Sequence, residues 1–165
     1  MSFWKNSKVE PLRTFRFKIL DTPGKDSVWW WAKTVEQPTA EIDSNQYQLL
    51  NHEFNYPGIV RWRPITVTLV DPGGDNDQTR RLYNFLKVAG YGTPNLKVNT
   101  LSKTGLDGKD QMFVFQQLNA DGKKKLQWQL EGAFISRIDF GRFDYSSDEL
   151  VELSITITYD YAKIL

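Results

Sequence analysis

A chain of 165 residues with no cysteine is one domain's worth of sequence, long enough to bury a core without disulfide staples, and it excludes thiol nucleophiles and cysteine-ligated zinc. Its 21 basic and 20 acidic side chains leave a formal net charge of +1, which gives no general pull towards nucleic acid. Aromatic residues make up 14% of the chain, and that richness points to a large core or to wide contact surfaces.

Residues 1–12 are mostly polar, contain Pro11 and read as an N-terminal arm. The opening Met1-Ser2-Phe3-Trp4-Lys5-Asn6 lacks the apolar run of a signal peptide, and no stretch approaches a membrane-spanning length, so synthesis in the cytoplasm and no membrane partner are expected. Thr14-Phe15-Arg16-Phe17-Lys18-Ile19 alternates with period two, as a half-buried strand does. Residues 21–26 carry turn chemistry, and 28–35 resumes an extended segment expected to pair with the first as a hairpin, ending at Pro38.

Residues 41–56 are mostly polar with spaced apolar positions, Ile42, Tyr47, Leu49, Leu50, Phe54 and Tyr56, and read as a long hairpin-like excursion. The chain returns through Pro57-Gly58 into a strand over 59–70, with Ile65, Val67 and Leu69 on one face and Thr66 and Thr68 on the other. Pro64 lacks a ladder donor, which places the start of that strand at an edge or a bulge. The one helix is expected over 77–89, with Leu82, Phe85, Leu86 and Ala89 on its apolar face, Asp75 or Asn76 as cap and Gly90 after its end.

Residues 91–110 read as loop. Residues 112–118 and 126–130 form a second hairpin turning at Asn119-Ala120-Asp121-Gly122, and 135–143 is another strand followed by a turn at 144–149. The closing segment alternates most clearly: Val151, Leu153, Ile155, Ile157, Tyr159 and Tyr161 on one face, Glu152, Ser154, Thr156, Thr158 and Asp160 on the other. The fold class is therefore mainly β: an antiparallel sandwich or barrel with one flanking helix and a long excursion.

Catalytic chemistry is hard to assemble from this inventory. His52 is the single histidine, with no serine elbow to serve it and no second histidine to share a metal. The run Asp71-Pro72-Gly73-Gly74-Asp75-Asn76-Asp77 fails the EF-hand and Walker spacings and reads as a strand-to-helix turn. Trp29-Trp30-Trp31 suggests a sugar-stacking platform, but consecutive residues of an extended segment point to opposite faces, so an outward ring is better buried by a neighbouring subunit. Lys123-Lys124-Lys125 reads as a solvated hairpin tip. No catalytic residue, cofactor or metal is expected, and a structural role is.

The order Ile65-Thr66-Val67-Thr68-Leu69, helix with Leu82-Tyr83-Asn84-Phe85-Leu86-Lys87, hairpin, Leu130-Glu131-Gly132-Ala133-Phe134-Ile135 and the closing 152–161 run resembles the tail tube proteins of contractile-tailed, T4-like phages. That tube family is shared with type VI secretion and other contractile injection systems. In it a strand leads to a Gly-x-aromatic segment, an aspartate-rich turn and a final alternating strand ending in aspartate and an aromatic residue. The resemblance spans about 15–161. It implies a single tail-tube-like domain over 1–165, closing into hexameric rings that stack into a hollow tube inside a contractile sheath. Implied partners are further copies of the chain, sheath protein, baseplate and tail terminator proteins, and tape-measure protein and DNA passing through the lumen unread. The implied place is the virion tail, after synthesis in the host cytoplasm. The arm and the three tryptophans have no counterpart in the pattern, which leaves open a tube-initiating baseplate ring protein or an injection-system tube protein. A reading from another class is an aromatic-rich β-sandwich that binds carbohydrate or a host surface.

Within the tube reading, Leu49, Leu50, Phe54 and Tyr56 are too many apolar groups for a free loop and are assigned to ring stacking, with the arm as accessory. Glu152, Ser154, Thr156, Thr158 and Asp160 are assigned to the lumen, since acidic and hydroxyl groups repel or ignore phosphates.

Overall fold

The structure is a computed structural model that describes residues 11–20, 29, 31–74, 77–88 and 113–165. Ten strands and one helix are formed among them: β1 (Phe17–Leu20), β2 (Ala32–Val35), β3 (Thr39–Leu49), β4 (His52–Arg63), β5 (Ile65–Val70), α1 (Gln78–Val88), β6 (Val114–Leu118), β7 (Lys124–Glu131), β8 (Phe134–Asp139), β9 (Glu152–Thr158) and β10 (Tyr161–Ile164). Two four-stranded antiparallel sheets, ordered β1-β6-β7-β10 and β2-β5-β9-β8, face each other, and β3 and β4 pair only with one another. Among the described residues no barrel closes and each sheet keeps two edges, so of the expected sandwich or barrel it is the antiparallel sandwich with one helix that forms.

Period-two alternation sets the core. Ile65, Val67 and Leu69 of β5 lie beside Leu153, Ile155 and Ile157 of β9 in register, and all six are buried. Ile19, Phe115 and Leu130 of the other sheet close over them, with Leu82 of the helix and Tyr159 joining the same cluster. Residues opposite one another in an antiparallel pair share a face, so these side chains necessarily meet across the sandwich.

The helix forms where its periodicity places it, over Gln78–Val88. Its expected caps, Asp75 and Asn76, lie outside the described residues, as do Ala89 and Gly90. Among the described residues two carboxylates cap it. Asp77 Oδ1 accepts from the Arg80 amide at 3.1 Å, and Asp71, at the end of β5, accepts from the amides of Gly73, Gln78 and Thr79 and from the Thr79 hydroxyl at 2.6 Å. Burial works to raise the Asp71 carboxyl, but these donors overcome it and hold it down at about 2. A depressed folded-state value means stabilisation that is complete above the ordinary carboxylate range and disappears as pH falls through about 2. Asp71→Ala is expected to cost about 1–2 kcal/mol in a urea melt near neutral pH. The difference from the parent should close progressively in melts taken below pH 4, and an unchanged difference at pH 2 would show that the carboxylate is not the cause.

Four expectations about connectivity change. The first two strands do not make a hairpin: β1 pairs with β6 and β2 with β5, in different sheets, because the intervening stretch is long enough to cross between layers and each short strand gains a longer partner. The turn at 21–26 lies outside the described residues. The excursion over 41–56 is a hairpin, but a far longer one, reaching from Thr39 to Arg63. Pro64 opens no edge strand; it sits between β4 and β5, where no ladder donor is needed, and β5 is central in its sheet. Finally, the closing alternation is broken after Tyr159. The Asp160 amide donates to the Glu131 carbonyl at 2.9 Å, which draws the chain across to β7 as β10 and leaves Tyr161 exposed rather than in the core row.

Candidate assembly surfaces

The β3–β4 hairpin is the feature the body of the protein does not account for. Its longer strand has 12 residues. At about 3.3 Å per residue, such a strand reaches roughly 40 Å. Nearly every residue on it is exposed, and a two-stranded ribbon in water is marginal by itself. Leu50, at the turn, is 86% exposed with φ 55°, a left-handed conformation rare for leucine.

The register shows how the ribbon is organised. In its outer half Leu49 faces His52, Tyr47 faces Phe54 and Asn45 faces Tyr56, so the apolar side chains share one face while Gln46, Gln48, Glu53 and Asn55 hold the other. Between Ile42 and Ser44 the register slips by one residue, a bulge on β4. Below it the pattern inverts. Ile42 and Val60, then Ala40 and Trp62, continue the face that is polar at the tip. The face that is apolar at the tip carries, at the base, an ion ladder: Arg61 Nε to Asp43 at 2.8 Å and Arg63 Nη2 to Glu41 at 2.5 Å. The Arg63 contact holds the Glu41 carboxyl below its ordinary value. Trp62 packs on Tyr159 with ring centroids 6.1 Å apart, so the apolar base face grows directly out of the core.

The outer face of the β2-β5-β9-β8 sheet is lined by Thr34, Thr66, Thr68, Ser154, Thr156 and Thr158, with the Thr158 hydroxyl donating to Ser136 Oγ at 2.9 Å. Four of the five residues assigned to the lumen therefore share one surface. Asp160 does not, because it lies past β9 in the crossing to the other sheet. The face is also less acidic than Glu152 suggests in sequence. Glu152 is paired with Lys33 of β2, and Arg137 reaches Asp139 at 3.4 Å, so each acid carries its own counter-charge. The lysine was invisible to a reading of one strand, since its partner is 119 positions away.

A third surface escaped sequence reasoning. Residues 140–151 link β8 to β9, and there Phe143 is 94% exposed, Tyr145 is fully exposed and Leu150 is exposed. Gly141 pins this loop with φ 73°, its amide donating to Asp139 Oδ1 at 3.0 Å. Asp144 accepts from the Ser146 hydroxyl and amide, which hold its carboxyl below the ordinary value. The strand β5 fixes where the loop lies relative to the hairpin. Its first residue, Ile65, follows the hairpin, and its last, Val70, pairs with Glu152 at the end of the loop. Hairpin and loop thus occupy opposite poles of the same sheet.

Between β2 and the opposing sheet a cleft of about 380 Å³ is lined by Phe15, Phe17, Val35, Phe115 and Trp128. The buried Trp128 Nε1 has no partner among the described residues. Of the tryptophan run, Trp29 stacks edge-on against Phe113 at 5.7 Å, Trp31 is partly exposed, and Trp30 lies outside the described residues. His52 is exposed on the hairpin, and no group of three metal-binding side chains occurs among the described residues. Among those residues no helix is long and apolar enough to cross a membrane.

No protein-family model matches the chain, and no curated protein matches it in sequence. Solved structures do. A chain of the extended-state sheath–tube complex of an extracellular contractile injection system (PVC) superposes with a TM-score of 0.71 at 17% identity, covering 100% of this chain and 98% of that one. The tube-terminating cap of the anti-feeding prophage (AFP) gives 0.69 at 19% identity, covering 95% and 92%. A chain of the six-fold symmetrised AFP baseplate gives 0.66 at 12% identity, covering 95% and 97%. At such identities the likeness is one of fold: the chain shares its fold with chains of these contractile injection system assemblies.

Proposed function

We propose that this chain is the structural subunit of a phage-type tail tube, assembling as stacked rings of six into a hollow conduit for DNA inside a contractile sheath. The observation that carries the reading is the long β3–β4 hairpin, apolar and uncovered, on a sandwich that shares its fold with a chain of a contractile sheath–tube complex. The hairpin at one pole and the Phe143–Tyr145–Leu150 loop at the other give each subunit a head and a tail. Such a heterologous pair does not close on itself and so propagates into a filament. Leu49, Leu50, Phe54 and Tyr56 stack rings, and Ser154, Thr156 and Thr158, with the paired Glu152, line the lumen. Six-fold arrangement is supported by the baseplate likeness, and sheath, baseplate and terminator partners by the assemblies in which the similar chains occur. Tape-measure protein and DNA pass without being read, and no catalytic step is involved. The baseplate likeness also supports a variant of this reading, a tube-initiating ring.

A second reading, a carbohydrate- or host-surface-binding sandwich, draws on the aromatic cleft around Trp128.

Electron microscopy of the purified protein across concentrations, with light scattering, distinguishes them. Rings or tubes with a central channel are expected. A monomer at every concentration that binds glycans would favour the second reading. Removing residues 45–56 and joining Ser44 to Pro57 through an Asn-Gly turn should leave a folded subunit that no longer forms long tubes, and unchanged tubes would refute the hairpin's role.

A further inference from the structure

We propose that the β3–β4 hairpin joins two different copies of the chain: its base face packs on the lateral neighbour in the same ring, and its tip face packs on a copy in the next ring. This rests on the tube reading above.

The bulge carries the argument. The apolar positions of β3 change parity between Ile42 and Tyr47, and a regular ribbon would leave Val60 and Trp62 of β4 on the tip face, on the opposite side from Ile42. The register slip between Ile42 and Ser44 instead puts Ile42 and Val60 on one side and Tyr47, Leu49, Phe54 and Tyr56 on the other. Ile42 is 63% exposed and Val60 51%, so neither is covered by its own subunit. No one surface reaches both sides of a ribbon. Two are required.

The identity of each surface follows from position. The base face is continuous with Trp62, which rests on Tyr159 at the lip of the sandwich. Whatever covers Ile42 and Val60 must therefore sit against the subunit's own flank, which in a ring is where the lateral neighbour lies. The reverse of the base is occupied by the ladder of Asp43, Arg61, Glu41 and Arg63, whose members are internally paired and suited to water. The tip begins at Ser44 and runs away from the body. At about 3.3 Å per residue its six rungs extend roughly 20 Å beyond the bulge. That reach takes it past the subunit's own layer to the opposite pole of a copy above, where Phe143, Tyr145 and Leu150 are exposed. The bulge is thus the device that lets one ribbon serve lateral and axial contacts in turn, as bulges elsewhere re-aim side chains.

The proposal separates two assembly steps by mutation of one hairpin. Ile42→Lys and, as a milder form, Val60→Ser should impair ring closure, leaving subunits that sediment as monomers at concentrations where the parent forms rings. Leu49→Ser with Phe54→Ser should close normal rings that do not stack, with tube length falling at least tenfold. All four side chains are exposed, and a parent-like cooperative melt of each variant confirms the fold. Normal rings from both base variants, or loss of rings in the tip variant, would overturn the proposal while leaving the tube reading intact. A parent protein that forms neither rings nor tubes would remove both.

Discussion

Gly141→Ala is expected to destabilise the protein by about 3 kcal/mol, whereas Gly122→Ala should cost only about 1–2 kcal/mol. The two glycines share the same φ of 73°, so the left-handed penalty on an added Cβ is common to both. What differs is space. Around Gly122 an added Cβ meets nothing within 4 Å, since it sits at the open turn between β6 and β7. At Gly141 it would collide with the Glu152 backbone carbonyl, an atom that cannot swing away because β9 is held on both sides by β5 and β8. The loop would have to lift off the sheet, losing the amide bond from Gly141 to Asp139. For a chain of this size the expected fall in Tm is roughly 6–12 °C, against a few degrees for the control. Equal shifts in the two variants would show that conformation alone, not the packing of the loop on β9, is what glycine serves. In the tube reading there is a second consequence: Phe143 and Tyr145 are displaced from the pole, so stacking should weaken even at temperatures where Gly141→Ala remains folded.

Much of this was legible in the chain because it depends on local period. The alternation of Ile65, Val67, Leu69 and of Leu153, Ile155, Ile157 fixes which side chains enter the core regardless of what else the chain does, and the structure buries all six. The helix is legible for the same reason, and so is the apolar excess of the excursion. Strand pairing was not. Nothing in Thr14-Phe15-Arg16-Phe17 says that β1 will bond β6 about a hundred positions later, and neighbouring strands in sequence are a natural first choice. The break at Asp160 was hidden because Tyr159 and Tyr161 continue the alternation perfectly in sequence, and only a carbonyl offered by Glu131 diverts the chain. The inversion of the hairpin is the instructive case. It is written in β3, where apolar positions pass from even (Ala40, Ile42) to odd (Tyr47, Leu49), a parity change that a count of apolar residues overlooks. The loop with Phe143 and Tyr145 was passed over because a turn rich in aspartate and serine satisfies local expectations without asking what its aromatic residues touch.

In the tube reading, with the β2-β5-β9-β8 face on the lumen, Thr156→Lys should convert a tube that ignores DNA into one that retains it. Thr156 sits at the centre of the hydroxyl-lined sheet face, flanked in register by Thr66 and Arg137, and the existing charges around it are already matched, Lys33 with Glu152 and Arg137 with Asp139. An added lysine has no acid to neutralise it. Repeated in every subunit of the proposed rings, it would line the channel with unpaired positive charge, and a strand threaded through would meet many such groups. With six to ten phosphates neutralised, affinity changes by about 10³–10⁵ between 50 and 200 mM salt, so retention should be strong at low salt and lost as salt rises. Parent tubes should show neither retention nor a salt slope, because a neutral hydroxyl surface releases no counterions. The absence of cysteine gives a second readout on the same position. Thr156→Cys supplies a single thiol, which a small maleimide should reach in assembled tubes while one attached to a large polymer should reach it only in free subunits. Equal labelling by both reagents, together with a Lys variant indifferent to DNA, would place this face on the outside of the tube, towards the sheath, and would turn the opposite sheet, with its Gln116–Gln127 pair and Lys163–Glu131 bridge, to the lumen instead.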